Sequence, residues 1–290
     1  MSMSQLHPMH ALRSGSEAFL RVLFGVFQAV IAIALVFYSP NWYAAVTVLM
    51  AMFASREWHR MVRAPAQREA ADLKPIHVQT AVTAGAIASA VVALMLRLVP
   101  IAFLLLVAGA LAAYFLAHKR DDNPLWHAGG VIYIGLPSLA LVALRVYPSQ
   151  GALLVLGLFL LVWATDTGAL VFGKLIGGKK IAPKLSPSKT WAGTIGGSIT
   201  AAVVFALYIA FFGFNVWLAM LFGFVFSFAA HGGDLFESLV KRRFGYKDSG
   251  GLIPGHGGVL DRMDSMFAAS VVLALLIFGL HLNPLFGGHA

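Results

Sequence analysis

Residues 151–172 read GALLVLGLFLLVWATDTGALVF, an apolar run in which Asp166 is the single ionisable side chain. A helix needs about 20 mostly apolar residues to cross the hydrocarbon core of a bilayer, and this run is long enough. A carboxyl group within such a span is costly and usually faces a polar cavity or a partner. The run therefore predicts a membrane span, and Asp166 indicates either a functional site or a structural polar network with Thr165 and Thr167.

The composition of the whole chain agrees with a membrane protein. Of its 290 residues, 59% are hydrophobic and 11% are charged, and the mean hydropathy is +0.82. A soluble domain carries about 25% charged residues because its surface faces water, so an ordinary soluble globule is excluded, as is a disordered chain. Cysteine is absent, which excludes disulfides, thiolate metal sites and cysteine nucleophiles.

Apolar runs of this kind recur along the chain and predict an all-α, polytopic integral membrane protein of about nine spans. The predicted spans are 19–38, 41–55, 79–98, 100–117, 128–147, 151–172, 192–212, 214–231 and 263–282. Five of them fall in an N-terminal membrane region, residues 1–150, and four in a C-terminal membrane region, residues 151–290. Only Pro100 separates the third span from the fourth.

The positive charges predict which side each loop occupies. Of the 21 Lys and Arg residues, 19 fall in alternate segments, and only Arg97 and Arg145 lie near the opposite face. Those segments are 1–21, 56–78, 118–127, 173–191 and 232–262. Because cytoplasmic loops carry an excess of Lys and Arg, we expect a cytoplasmic N-terminus and an external C-terminus. The same distribution explains the net charge of +9. We therefore expect membrane lipids as partners and no binding to nucleic acid.

Two polar segments follow the sixth span. Residues 173–180 nearly match a phosphate-binding P-loop, but Lys180 stands where Ser or Thr should bind magnesium and no strand precedes, so that interpretation is rejected. The second segment supplies four polar side chains directly before the seventh span: Ser186, Ser188, Lys189 and Thr190. Hydroxyls, N–H groups and an ammonium at a helix N-terminus suit an anion, whereas a plain helix cap by Ser188 or Thr190 is the alternative.

A longer polar stretch covers residues 231–264. Asp234, Ser238 and Lys241 follow the spacing i, i+4, i+7, so they share one face of a predicted helix. Glu237 and Lys241 also have the spacing of an ordinary surface pair. A loop with five glycines then leads to a second pair of carboxylates at the start of the ninth span.

That second pair, Asp261 and Asp264, allows two interpretations. One is a helix cap at Asp261 with Asp264 favouring the helix dipole. The other is magnesium coordination, because hard cations take carboxylate oxygens, and basic residues beside carboxylates suit phosphates bridged by a metal. Three roles are open to His256 in the same loop: metal ligand, phosphate donor or hydrogen-bond partner within the loop.

The spacing of these residues resembles the signature of the phosphatidate cytidylyltransferase (CDP-diacylglycerol synthase) family. The resemblance is carried by Ser238-Leu-Val-Lys-Arg242, Lys247-Asp248 and Pro254-Gly-His-Gly-Gly-Val-Leu-Asp-Arg-Met-Asp264. The segment SPSKTW at 186–191 and Asp166 also resemble that family, and Glu57-Trp58 does so more loosely. Ala192 departs from the pattern, which has a polar Glu or Gln after the tryptophan. Together these motifs cover roughly residues 163–265.

The resemblance implies that the chain transfers the cytidylyl group of CTP to phosphatidate, giving CDP-diacylglycerol and pyrophosphate for phospholipid biosynthesis. It implies Mg²⁺ as cofactor, with Mn²⁺ as a substitute and a second cation as a further option. The substrates CTP and phosphatidate, a possible homodimer, and a bacterial inner membrane with the site on its cytoplasmic side complete the expectation. In this reading residues 151–290 form the catalytic region.

The resemblance also implies roles for individual residues. The expected metal ligands are Asp234 and Asp261, with Asp264 and Asp166 as further ligands or their neighbours. The expected catalytic residues are Asp234, Asp261, Lys241 and Asp248. The expected substrate-binding residues are Ser186, Ser188, Lys189, Thr190, Ser238, Arg242, Lys247, His256 and Arg262.

Three alternatives remain open at this point. One is a cytidylyltransferase that acts on a different lipid phosphate, and another is a non-enzymatic lipid-binding relative. The third is a cation-coupled transporter that uses Asp166 and Asp234 as a relay. Such a transporter requires charged groups in several spans.

Overall fold

The computed structural model describes residues 25–69, 74–213, 215–252 and 257–280, and these residues are mostly helical. The helices are α1 (Gly25–Tyr38), α2 (Pro40–Met61), α3 (Pro65–Glu69), α4 (Lys74–Met95), α5 (Val99–His118), α6 (Pro124–Val146), α7 (Gly151–Leu175), α8 (Trp191–Ala210), α9 (Val216–Arg243) and α10 (Leu260–Ala274). A π-helical turn, Leu275–Gly279, continues α10. The strands of this part of the chain are β1 (Lys180–Ala182) and β2 (Ser186–Thr190).

Seven of the described helices are long and apolar enough to cross a membrane, so the chain is an integral membrane protein. They are α4 to α9 and α10 with its π-helical continuation. Helix α2 is not among them, although it has 22 residues, because its last turns are polar beyond the predicted span end at residue 55. Helix α1 is described only from Gly25. The count of nine spans and their orientation therefore stay predictions.

Two boundaries differ from the predicted ones in ways that matter for the site. The predicted eighth span ends at residue 231, but α9 continues to Arg243, so one helix carries both the apolar span and the polar face after it. The break between α4 and α5 falls at Arg97, which has a φ of 62°. Pro100 instead lies in the first turn of α5, where its missing N–H removes no helical hydrogen bond.

The predicted all-α fold needs one correction, because residues 180–190 form a small antiparallel hairpin. Lys180 pairs with Thr190 and Ala182 pairs with Ser186. Two glycines with φ of 65° and 91°, Gly177 and Gly178, carry the chain from α7 into β1. The segment is short and polar, and apolar alternation, the usual signal for a strand, is missing from it. A helix rather than a strand precedes it, which confirms the rejection of a P-loop.

Two buried apolar clusters hold the helices together. One is built mainly from α7, α8, α9 and α10, and the other mainly from α2, α4, α5 and α6 with residues of α9 and α10. Helices α7 and α8 approach closely because Gly197 faces α7, where an added Cβ would lie 2.6 Å from the Thr165 carbonyl oxygen. Since α10 contributes to both clusters, the division of the chain near residue 150 stays a prediction.

Candidate active site

A cluster of carboxyl groups lies where α7, α9 and α10 meet. Asp166 on α7 interacts electrostatically with Asp264 on α10 and with Asp234 on α9. The Glu237 side chain, one turn after Asp234, faces Asp264. The structure therefore brings together three of the four predicted metal ligands and adds Glu237 to them.

Glu237 is the member of this cluster that the sequence did not single out. Its side chain is fully buried, and neither carboxylate oxygen has an aligned hydrogen-bond donor. Its Oε2 lies 3.2 Å from the Lys241 Nζ, so the predicted pair exists. The surface location assumed for that pair is wrong, because the side chain points towards α10. Its spacing of three residues from Asp234 was the signal that could have revealed it.

The Asp166 side chain is exposed at the surface of α7, even though protein lies close to its carboxyl group. These two observations agree if the side chain lies in a crevice that is open on one side. Its electrostatic partners include Lys189 and Arg262 as well as the two acids. Carboxylate and cationic groups brought together in this way can hold a metal ion and phosphate groups.

Two lysines balance part of this negative charge. The Lys189 Nζ lies 2.5 Å from Asp234 Oδ2, and this contact connects β2 to α9. The Lys241 Nζ lies 2.6 Å from Asp261 Oδ1, which connects α9 to the start of α10. Both lysines therefore lie beside carboxylates of the site.

Asp261 organises the glycine-rich loop as well as binding Lys241. Its carboxylate accepts hydrogen bonds from the backbone N–H of Ser249 at 3.0 Å and of Gly258 at 2.8 Å. Val259, not Asp261, is the N-cap residue of α10. The prediction that Asp261 is the N-cap is therefore wrong. Asp261 lies in the first turn of α10, and its side chain accepts hydrogen bonds from the preceding loop.

A second carboxylate, Glu57 of α2, fixes the same loop from the other side. It accepts hydrogen bonds from the Ser249 hydroxyl at 3.0 Å and from the backbone N–H groups of Val259 and Leu260 at 3.0 and 2.9 Å. An added Cβ at Gly258 would lie 2.4 Å from Glu57 Oε2, so the close approach requires glycine. Sequence reasoning gave Glu57 no role beyond a loose resemblance.

The hairpin residues have different local roles. Thr190 accepts a hydrogen bond from the Gly193 N–H at 3.0 Å, which confirms the capping alternative for this residue. Ser186 is buried and Ser188 is exposed. Arg242 donates to the Leu185 carbonyl oxygen at 3.1 Å and thereby holds the hairpin against α9.

The remaining predicted residues are less closely connected with the carboxyl cluster. Ser238 is buried on α9, while Lys247 and Asp248 are exposed after that helix. No contact of Lys247 or Asp248 with the cluster is seen among the described residues. His256 lies outside the described residues.

The donor chemistry of the cluster fits a hard divalent cation. All the candidate ligands are carboxylate oxygens, which Mg²⁺ prefers, and the buried oxygens of Glu237 lack aligned donors. In the described ranges, however, no three His, Asp or Glu side chains already form a complete ligand set. Asp234, Glu237 and Asp264, with Asp166 beside them, are the residues that could hold the ion.

Comparisons with known proteins point in the same direction as this geometry. The sequence model of the cytidylyltransferase family matches residues 19–280. A Brucella melitensis protein named phosphatidate cytidylyltransferase is 42% identical over 173 residues, which are 59% of this chain and 63% of that protein. A Staphylococcus haemolyticus protein of the same name is 45% identical over 150 residues, which are 51% of this chain and 56% of that protein. The chain thus spans less than two thirds of the length of these relatives.

Proposed function

The chain belongs to the cytidylyltransferase family, and from this premise we propose that it transfers the cytidylyl group of CTP to phosphatidate, giving CDP-diacylglycerol and pyrophosphate. The observation that carries the proposal is the carboxyl cluster, in which Glu237 and Asp264 are buried and Asp166 and Asp234 are at least partly exposed, together with the nearby Lys189, Lys241 and Arg262. The relatives named phosphatidate cytidylyltransferase support the choice of substrates.

The reaction places simple demands on the site. A phosphate oxygen of phosphatidate forms a bond to the α-phosphorus of CTP, and the bond from that phosphorus to the pyrophosphate oxygen breaks. The attacking oxygen is already anionic, so no strong general base is needed. The protein must hold two mutually repelling anions in line and offset the charge of the departing pyrophosphate.

The two lysines meet these demands by exchanging partners. Lys189 and Lys241 now contact Asp234 and Asp261, and each ammonium can turn to a phosphate oxygen, a charge-assisted contact of the same kind. Arg262 is exposed and interacts electrostatically with Asp166, and its guanidinium can bind a phosphate through two N–H groups. The hydroxyl groups of the hairpin, together with Arg242 and Lys247, are proposed substrate contacts.

Asp234, Glu237 and Asp264 would hold Mg²⁺, with Asp166 as a ligand or neighbour. When bound, the ion offsets negative charge on the phosphate oxygens and on the departing pyrophosphate. Asp261 stays a predicted ligand, while its present hydrogen bonds support a role in holding Lys241 and the loop. Mn²⁺ as a substitute and a second cation stay proposals.

We further infer nine spans, a cytoplasmic N-terminus and a cytoplasmic site. The distribution of Lys and Arg supports this orientation, and CTP is a cytoplasmic substrate. The transporter alternative lacks support, because the acidic residues of the seven apolar helices all belong to the carboxyl cluster or, like Asp261, adjoin it.

The test is release of pyrophosphate from CTP by the detergent-purified protein. We expect release only with phosphatidate and a divalent cation, loss in EDTA, and recovery when Mg²⁺ is restored. Equal release without lipid would contradict the transfer reaction. Faster turnover of a polyprenyl phosphate than of phosphatidate would support the alternative with a different lipid phosphate.

A further inference from the structure

A cleft of about 310 Å³ lies between α2 and the beginning of the glycine-rich loop. Its walls are Phe53, Arg56, Glu57 and Arg60 on one side and Gly250–Leu252 on the other. Ligand sites typically have volumes of about 300–1,000 Å³, so the cleft can hold a small polar headgroup. None of the carboxyl cluster lines it, but it adjoins the site, because Glu57 in its wall and Asp261 both accept hydrogen bonds from Ser249 of the same loop.

The charge in this cleft comes from two arginines. Arg56 and Arg60 are one helical turn apart on α2, and both side chains are exposed. Neither has an ion pair or hydrogen bond with another described residue. Glu57 is the acidic residue of the lining, and its carboxylate already accepts hydrogen bonds from the loop. The described lining therefore carries two positive charges against one negative charge, and the cleft is a basic site in which neither arginine forms an ion pair with a described residue.

The face of α2 that leads to the cleft changes from apolar to basic along the helix. Leu49, Phe53, Arg56 and Arg60 follow the spacing i, i+4, i+7, i+11 and so lie on one stripe. Leu49 is 43% exposed, which leaves an apolar surface open before the arginines begin. An anionic lipid has a matching arrangement, because its apolar acyl chains lead to a negatively charged phosphate.

We propose that this cleft binds the phosphate of an anionic lipid, with Arg56 and Arg60 on the phosphate oxygens and acyl chains along Leu49 and Phe53. Guanidinium groups suit this role because their planar arrangement of N–H groups matches phosphate oxygens. The inference rests on the proposed function, in which the bound lipid is the phosphatidate substrate. Glu57 connects the cleft to the active site, because it lines the cleft and also holds the glycine-rich loop of the active site.

The experiment compares the double variant Arg56→Gln/Arg60→Gln with the full wild-type chain in nanodiscs of phosphatidylcholine. Calorimetric titration with dioctanoyl phosphatidate, without CTP, measures binding directly. We expect at least about a tenfold loss of affinity in the double variant, as for losing one charged hydrogen bond. We also expect a similar rise in the KM for phosphatidate, while the KM for CTP is unchanged.

The matched control is Arg243→Gln at the end of α9. Arg243 is also exposed, its side chain also has no ion pair or hydrogen bond with another described residue, and it lies in another of the basic segments. If both arginines only anchored α2 to the membrane, the double variant and the control would bind phosphatidate equally, and the inference would be wrong. A rise in the KM for CTP instead would assign the arginines to the nucleotide.

A competition arm distinguishes a lipid headgroup from free phosphate. We expect inorganic phosphate to displace dioctanoyl phosphatidate only at far higher concentration, because it cannot use the apolar stripe. Equal competition per phosphate would overturn the lipid assignment. Binding is measured without CTP, so it does not depend on the reaction. If the affinity for phosphatidate depends on the two arginines but no CDP-diacylglycerol is formed, the lipid site stands and only the proposed function is contradicted.

Discussion

At the scale of single residues, Glu237 and Asp261 have different roles because their carboxylates differ in hydrogen bonding. Asp261 accepts hydrogen bonds from Lys241, Ser249 and Gly258, so most of its acceptor capacity is already used. Glu237 is more deeply buried and has no aligned donor. Lys241, 3.2 Å away, is the counter-ion of Glu237, but it also pairs with Asp261. Two buried carboxyl groups that share so little positive charge are costly, and this supports the proposal that a cation binds between Glu237 and Asp264.

We predict that Glu237→Gln lowers kcat by about a hundredfold or more and raises the Mg²⁺ concentration that gives half-maximal activity. The amide keeps the size of the side chain but removes its charge, so the folded structure should survive. The readout is pyrophosphate release over a range of Mg²⁺ concentrations, together with the thermal unfolding midpoint.

The matched control for this substitution is Asp121→Asn. Asp121 is exposed and has a φ of 51°, a conformation that asparagine tolerates. We expect wild-type activity from it. Wild-type Mg²⁺ dependence in Glu237→Gln would contradict the assignment of Glu237 to the cation.

We predict that Glu57→Gln lowers kcat. Both oxygens of the Glu57 carboxylate accept hydrogen bonds from the loop, and in glutamine one of them is replaced by an NH₂ group that cannot accept. Leaving one buried N–H or hydroxyl unpaired costs about 1–3 kcal/mol. Glu57→Asp keeps the charge and should recover part of the rate, whereas a merely structural effect would follow the unfolding midpoint in both variants. Equal activity of wild type and both variants would show that the loop is positioned without Glu57.

These residues also show what the sequence could and could not predict. Asp234, Lys241, Asp261 and Asp264 are recognisable because their spacing is local along helices. Glu57 meets Ser249 across 192 positions, and no local pattern records a contact over that separation.

At the scale of elements, the site depends on how closely α9 and α10 cross. The crossing point is Gly233, where an added Cβ would lie 2.4 Å from the Asp264 carbonyl oxygen. Because Asp234 is the next residue, any increase in the helix separation also moves one carboxylate of the cluster away from Asp264. The continuous helix α9 transmits this position as far as Lys241.

We predict that Gly233→Ala lowers both the thermal unfolding midpoint and kcat, since the methyl group meets backbone atoms that cannot rotate away. Gly232→Ala is the control, because nothing lies within 4 Å of its added Cβ. That change should leave stability unchanged or raise it, by up to about 1 kcal/mol from helix propensity. Equal effects of the two alanines would mean that the tight crossing does not matter for the site.

The hairpin marks the limit of sequence reasoning for elements. Its residues were correctly grouped, and Thr190 caps α8, but strand pairing at 180–190 was missed. The reason is that β1 has only three residues and that the five residues of β2, Ser-Pro-Ser-Lys-Thr, show no apolar alternation that would favour a strand locally. The pairing places Lys189 where it reaches Asp234, so the strand conformation is what connects this segment to the cluster.

At the scale of the whole molecule, helix number and sidedness decide whether the site can reach both substrates. Under the proposed function, phosphatidate lies in the membrane and CTP in cytoplasmic water, so that function requires the carboxyl cluster to open at the cytoplasmic face. The apolar runs predicted the seven described helices that are long and apolar enough to cross a membrane, because length and hydropathy can be read from the local sequence. They could not decide the status of α2, whose polar end is buried against other helices.

The orientation gives a last prediction, which uses the absence of cysteine from the sequence. Each cysteine introduced by mutation is then the only site for a thiol reagent that does not cross membranes. Lys180 and Gln150 are both exposed and flank α7, whose 25 residues extend about 37 Å. Because such a helix spans the hydrocarbon core, the two positions should lie on opposite sides. We expect Lys180→Cys to react only in inside-out vesicles and Gln150→Cys only in intact spheroplasts, with both reacting after permeabilisation as the control. Reaction of both from one side would mean that α7 does not cross, and the reverse pattern would place the carboxyl cluster away from cytoplasmic CTP.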